Sequence, residues 1–219
     1  MRLFVCCTFA IVLGLCAHAA QARVWEPTPG HVQVPIWPGA VPNALPHPKP
    51  ESAGPGARVD NVSRPTMTVY PAQGHNTGAA VVVFPGGGYQ MLAMDLEGTE
   101  ICDWLTARGI TCVLLKYRVP SSGPTWVDGH RYYPKVQTAL QDAQRMLSLV
   151  RQQAASWGVD PHKIGVMGFS AGGHLLAAAS THFAERTYPL VDAADRVSRP
   201  PGFRHRRVSG PFVGARGRG

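Results

Sequence analysis

With 219 residues, 45% of them hydrophobic, the chain is long enough for one domain with a substantial core. Its formal charge of +8 is concentrated at one end: seven of the 21 basic side chains are arginines between 196 and 219, where there is no acid, and the rest carries 14 basic against 13 acidic groups. A body so close to neutral offers no polyanion-binding face, and no nucleic-acid partner is expected.

Residues 1–22 have the layout of a secretory signal: Arg2, an apolar run from Leu3 to Leu15, then small residues closing on Ala20-Gln21-Ala22. The run is short for a membrane span. Cleavage near Ala22 is therefore expected, leaving a secreted or periplasmic protein without a span. Cys6, Cys7 and Cys16 leave with the signal. Cys102 and Cys112 fall on a predicted helix and strand, and two buried thiols are expected there rather than a disulfide.

Residues 23–64 form an arm rich in proline, extended and unsuited to helix, with Trp25, Ile36 and Trp37 as its anchors. A domain is expected over 65–195. Thr66–Tyr70 reads as a strand, and Gly78–Phe84 as a second, apolar throughout and covered on both faces. Pro85-Gly86-Gly87-Gly88-Tyr89 follows it directly. Glu97–Arg108 is a predicted helix stopped by Gly109, Ile110–Val119 a strand, and Pro120–Gly129 a loop. Val136–Trp157 is a long helix, with Val136, Ala139, Leu140, Ala143, Leu147, Val150 and Ala154 on one face. The alternation predicts an α/β domain, a mostly parallel sheet flanked by helices.

Chemistry concentrates between Lys163 and His174. Ile164, Val166 and Phe169 alternate as in a buried strand, and Leu175 to Ala179 read as a buried helix. Between them Gly168-Phe169-Ser170-Ala171-Gly172 spells G-x-S-x-G in the strand–turn–helix setting that the motif requires. A serine on so sharp a turn needs small neighbours, which Gly168 and Gly172 are, and the turn lifts its hydroxyl to the amino end of a helix. Ser170 is thereby the candidate nucleophile. The three glycines at 86–88 read either as a plain tight turn or as bare N–H donors for an oxyanion.

Five runs carry a family resemblance: Phe84-Pro85-Gly86-Gly87-Gly88-Tyr89, Asp95-Leu96-Glu97-Gly98, Leu115-Lys116-Tyr117-Arg118-Val119-Pro120, Gln141-Asp142-Ala143-Gln144-Arg145 and Gly168-Phe169-Ser170-Ala171-Gly172-Gly173-His174. In this order they resemble the α/β-hydrolase serine esterases, in particular the secreted bacterial branch with acetylxylan- and feruloyl-esterase-like proteins. The resemblance spans about 32–195. It implies Ser170 as nucleophile, the N–H groups of Gly87, Gly88 and Ala171 as oxyanion hole, and hydrolysis of small-molecule or polysaccharide esters without metal or cofactor. Pro85 stands where many relatives have histidine, a change found in the carbohydrate-esterase-like branch.

The resemblance also implies an acid and then a histidine on loops after two later strands, and only 49 residues follow Ser170. His174 is expected to pack near the site while pointing away from the serine. His182, His205, Glu185, Asp192 and Asp195 stand in no matching context. The irregular, arginine-rich tail, residues 196–219, reads as frame-shifted, so the fold is expected to be partial and this chain inactive. The rivals are a peptidase of the same fold, a non-catalytic pseudo-enzyme or carbohydrate-binding protein, and nucleic-acid binding through the arginine tail, against which stands the tail's lack of interleaved aromatics and folded context. The sequence carries no cue to oligomeric state.

Overall fold

A computed structural model describes residues 24–119, 125–127, 130–132 and 136–197. The expected signal segment, His205 and the tail beyond Val197 lie outside them. Among the described residues, ten strands and three α-helices follow one another as β1 (Gln33–Pro35), β2 (Ser52–Ala53), β3 (Arg58–Asp60), β4 (Thr66–Tyr70), β5 (Ala80–Phe84), β6 (Met91–Ala93), α1 (Glu100–Thr106), β7 (Thr111–Lys116), β8 (Thr125–Val127), β9 (His130–Tyr132), α2 (Val136–Gln153), β10 (Ile164–Gly168) and α3 (Ala171–Thr181).

The main sheet has the order β1-β4-β7-β5-β10. Its centre is the most deeply buried part of the sheet: every residue of β7 is buried, as is all of β5 except Val81. β5 runs parallel to both neighbours, pairing Val82 with Val113 on one side and Val166 on the other, while β4 joins β7 antiparallel and β1 joins β4 antiparallel. The strand–helix alternation thus builds the parallel part, and the two antiparallel pairings make the sheet mixed. The crossovers β5-α1-β7 and β7-α2-β10 run in opposite directions along the sheet. Right-handed connections then place α1 and α2 on opposite faces.

The proline-rich arm is woven into the domain. β1 edges the main sheet, and β3 lies between β2 and β6 in a second, antiparallel sheet. Trp25, Ile36 and Trp37 are buried. Arg145 on α2 donates its Nε–H to Ile36 O at 2.9 Å, and the same guanidinium reaches Asp192 and Asp195. α2 thereby holds the arm on one side and the segment after α3 on the other. The stretch expected as a loop before α2 contains β8, which pairs antiparallel with β9.

One expectation is corrected. Cys102 and Cys112 are not separate thiols but a disulfide, with Cα atoms 5.2 Å apart. The turn through Gly109 folds β7 straight back along α1, so the buried face of the helix and the start of the strand meet at disulfide distance. Assignment to different elements does not separate two cysteines when those elements pack against each other.

Candidate active site

β5 and β10 are parallel, so their carboxyl ends lie at the same edge of the sheet, and Phe84 is in register with Gly168. The loops leaving them meet there. Ser170 links β10 to α3 with φ 48° and ψ −115°, a left-handed conformation that a non-glycine residue keeps only when its surroundings enforce it. Packing at the elbow supplies that enforcement. A Cβ on Gly168 would lie 2.3 Å from Gly172 O, and one on Gly172 would lie 2.0 Å from Phe84 O. Phe169 N–H donates to Phe84 O at 3.2 Å, and Gly172 N–H to Phe169 O at 2.7 Å. The turn is thus pinned to β5, with Ser170 exposed and its side chain not used as a helix cap.

The glycine loop lies against this elbow. A Cβ on Gly86 would sit 2.6 Å from Phe169 O and 3.0 Å from Ser170 Cβ. Gly86 donates its N–H to Glu97 Oε2 at 2.7 Å and accepts from Ala93 N–H at 3.1 Å. Gly87 O accepts from the N–H groups of Gln90 and Met91. Among the described residues the N–H groups of Gly87, Gly88 and Ala171 donate to no protein acceptor. The last of these opens an eleven-residue helix, where the macrodipole favours negative charge.

Two tyrosines tie down the loop. Tyr117 Oη donates to Pro85 O at 2.6 Å, and burial, together with the nearby Tyr89 and Glu97, pushes its phenol well above the ordinary value. Tyr89, itself buried with φ 58°, places Oη 2.9 Å from His174 Nδ1. The His174 ring therefore serves the loop, while its backbone N–H donates to Ser170 O at 3.1 Å at the start of α3. His182 turns its Nδ1 to Ala178 O and Thr181 Oγ1 at the end of α3. Asp192 and Asp195 are paired with Arg145. Among the described residues no imidazole or carboxylate is hydrogen-bonded to Ser170 Oγ, and no group of three metal-ligating side chains occurs.

Sequence reasoning assigned no role to Tyr117 or Glu97, though both stand in quoted motifs. Tyr117 follows a strand, and Glu97 lies in a π-helical turn, Asp95–Thr99, that no apolar periodicity announces.

Residues 67–194 match the family model described as BD-FAE. An acetylxylan esterase of Xylanibacter ruminicola is 36% identical over 130 residues, 56% of this chain and 25% of that protein. The crystal structure of an acetyl ester-xyloside bifunctional hydrolase from Caldicellulosiruptor lactoaceticus is similar with TM-score 0.57 and 31% identity over 78% of this chain and 54% of that one. Thermogutta terrifontis esterase 2 phosphonylated by sarin is similar with TM-score 0.50 and 27% identity, over 75% and 53%. The chain spans about a quarter of the acetylxylan esterase and about half of each of these two structures.

Proposed function

The chain belongs to the BD-FAE family of α/β-hydrolase serine esterases, and from that premise we propose that it carries the nucleophile half of an exported esterase acting on acyl groups of carbohydrates. The observation that carries this reading is Ser170 at φ 48° on the amino end of α3, with the glycine loop packed against its Cβ. In the reaction Ser170 Oγ bonds to the acyl carbon and the carbonyl electrons move onto oxygen. That oxyanion is received by the N–H groups of Gly87, Gly88 and Ala171. Collapse of the adduct breaks the ester C–O bond, and the sugar oxygen leaves as an alcohol with the proton that the base took from Ser170 Oγ. Water, giving its proton to the same base, then attacks the acyl carbon. The acyl–Oγ bond breaks to release the acid and return the proton to Ser170.

An acyl group on a sugar is favoured because the proteins similar to this chain include an acetylxylan esterase and an acetyl ester-xyloside bifunctional hydrolase. The base that deprotonates Ser170 and the acid that orients it lie, in this reading, outside the described residues. The arginine-rich tail is read as out of frame. Without the base, Ser170 keeps only the residual rate that an oxyanion hole and binding supply.

The test is acetate release from acetylated xylo-oligosaccharide and from 4-nitrophenyl acetate, by the 219-residue chain and by a gene product with the frame restored after Arg199. The restored enzyme should hydrolyse both and lose this with S170A, while the present chain shows residual turnover. Full activity surviving S170A would place the chemistry elsewhere.

A further inference from the structure

No step above uses the Asp95-Leu96-Glu97-Gly98 run, yet the structure sets Glu97 beside the nucleophile. A Cβ on Gly86 would lie 2.6 Å from Glu97 Oε2 and 3.0 Å from Ser170 Cβ, so carboxylate, loop and nucleophile converge on one point. Glu97 is half-buried, and among the described residues it enters no ion pair. Its hydrogen bond there is the one that it accepts from Gly86 N–H at 2.7 Å. Removing a carboxylate from water without a cation beside it is unfavourable, and residues that break such a rule concentrate at functional sites.

The backbone around Glu97 is rigidly held. It sits within the π-helical turn Asp95–Thr99, closed by Thr99 N–H on Met94 O at 2.8 Å. Gly98 lies against β7, where a Cβ would come within 3.1 Å of Leu114 Cδ1. The carboxylate therefore reaches Gly86 from a fixed base. Because Ala93 N–H occupies Gly86 O, both polar groups of that peptide pair are engaged. The chain then turns through Gly87 at φ 131° and Gly88 at φ 63°, and their N–H groups have no protein acceptor among the described residues.

We propose that Glu97 is a positioning residue of the oxyanion loop. By accepting the Gly86 N–H, its carboxylate removes that donor from the hole and sets the turn that leaves the next two donors open towards Ser170. The charge makes this bond stronger than one to a neutral acceptor, which suits an anchor that must hold while negative charge develops nearby. The inference rests on the reading of Ser170 as nucleophile, and its test is independent of the missing base.

The S170C variant supplies a thiolate that reacts without a general base. With 4-nitrophenyl acetate its sulfur bonds to the acetyl carbon and nitrophenolate leaves, by way of an oxyanion. With iodoacetamide its sulfur bonds to the methylene carbon and iodide leaves, with no oxyanion. The ratio of the two rates, after subtracting the background of the chain with Ser170 intact, reports the hole rather than the exposure or acidity of the thiol. Adding E97A should lower this ratio roughly tenfold or more, since misplaced oxyanion donors are costly. E97Q keeps an oxygen acceptor and should hold the ratio within about threefold. An unchanged ratio in a folded E97A variant overturns the proposal while leaving the nucleophile reading intact. A ratio in S170C no better than that of free cysteine removes the oxyanion-hole reading and the proposal with it. Amide hydrogen exchange on the unsubstituted chain needs no variant: Gly86 should exchange far more slowly than Gly87 and Gly88, and equal rates overturn the proposal.

Discussion

Trp37 donates its indole N–H to Asp142 Oδ1 at 2.9 Å, across 105 residues of sequence. The same carboxylate, fully buried, accepts from the backbone N–H and the guanidinium of Arg118. Arg118 in turn donates to Pro42 O, Thr138 O and Gln141 Oε1. One buried acid therefore joins the arm, the carboxyl end of β7 and α2. Asp142→Asn should cost about 3–5 kcal/mol, because it strands a buried guanidinium without its counter-charge. Trp37→Phe, which removes one donor and leaves the ion pair, should cost only about 1–2 kcal/mol. Urea unfolding of the two variants checks the order, and equal losses would contradict it.

The disulfide between Cys102 and Cys112 closes a short loop, with a sequence separation of 10. Constraint of the unfolded chain by a loop of this length contributes roughly 2–3 kcal/mol. Reduction, or the paired substitution of Cys102 and Cys112 by Ala, should lower the melting temperature by several degrees while leaving Ser170 and the glycine loop in place. Alkylation of free thiols before and after reduction, followed by peptide mapping, identifies the bonded pair directly.

Acid should loosen the segment after α3 first. Burial works to raise the Asp195 carboxyl, but the hydrogen bonds from Tyr188 Oη and Val191 N–H and the Arg145 guanidinium outweigh it and hold it below the usual carboxylate range. The hydrogen bond from Arg145 is the main cause of the lowered Asp192 carboxyl. Carboxyls depressed in the folded state contribute stability above their unfolded value, about 3.9, and lose it as pH falls through the folded value. Stability should therefore be flat down to about pH 5 and fall below about pH 4. Asp195→Asn should flatten that acid limb while lowering stability at neutral pH. A limb unchanged in that variant would assign the acid sensitivity to other carboxyls.

The elbow was legible from sequence because its constraints are local. Gly168 and Gly172 both flank Ser170 within one five-residue motif, although what Gly172 makes room for is Phe84 O on β5, and the apolar residues on either side specify strand and helix. Strands β4, β5 and β7 were legible for the same reason: runs such as Val81-Val82-Val83-Phe84 suit only a covered strand. What was not legible depends on partners distant in sequence. β1 and β3 are three residues each, and pairing with β4 and β6, not propensity, makes them strands. The disulfide depends on how α1 packs, and Glu97 on a π-helical turn that brings its side chain back over Gly86. Tyr117 likewise gains its place from the meeting of β7 with the loop after β5.

Gly87 and Gly88 look equivalent in the sequence but are not equivalent in space. A Cβ on Gly87 would meet Met91 O at 2.1 Å, and its φ of 131° lies where side chains are strained. A Cβ on Gly88 has nothing nearer than Gln90 Cγ at 4.0 Å, and its φ of 63° is one that other residues tolerate at modest strain. Gly87→Ala must therefore displace the Gly87 carbonyl bonds to Gln90 and Met91, and with them the two N–H donors. In the frame-restored enzyme it should lower kcat by roughly a hundredfold or more with little change in KM, as the loss of an oxyanion donor does. Gly88→Ala keeps the loop and adds only left-handed strain of about 1 kcal/mol, so its rate should stay within roughly tenfold. Steady-state kinetics on 4-nitrophenyl acetate separate the two, and equal losses, or a loss confined to KM, would mean that the loop binds substrate rather than the oxyanion.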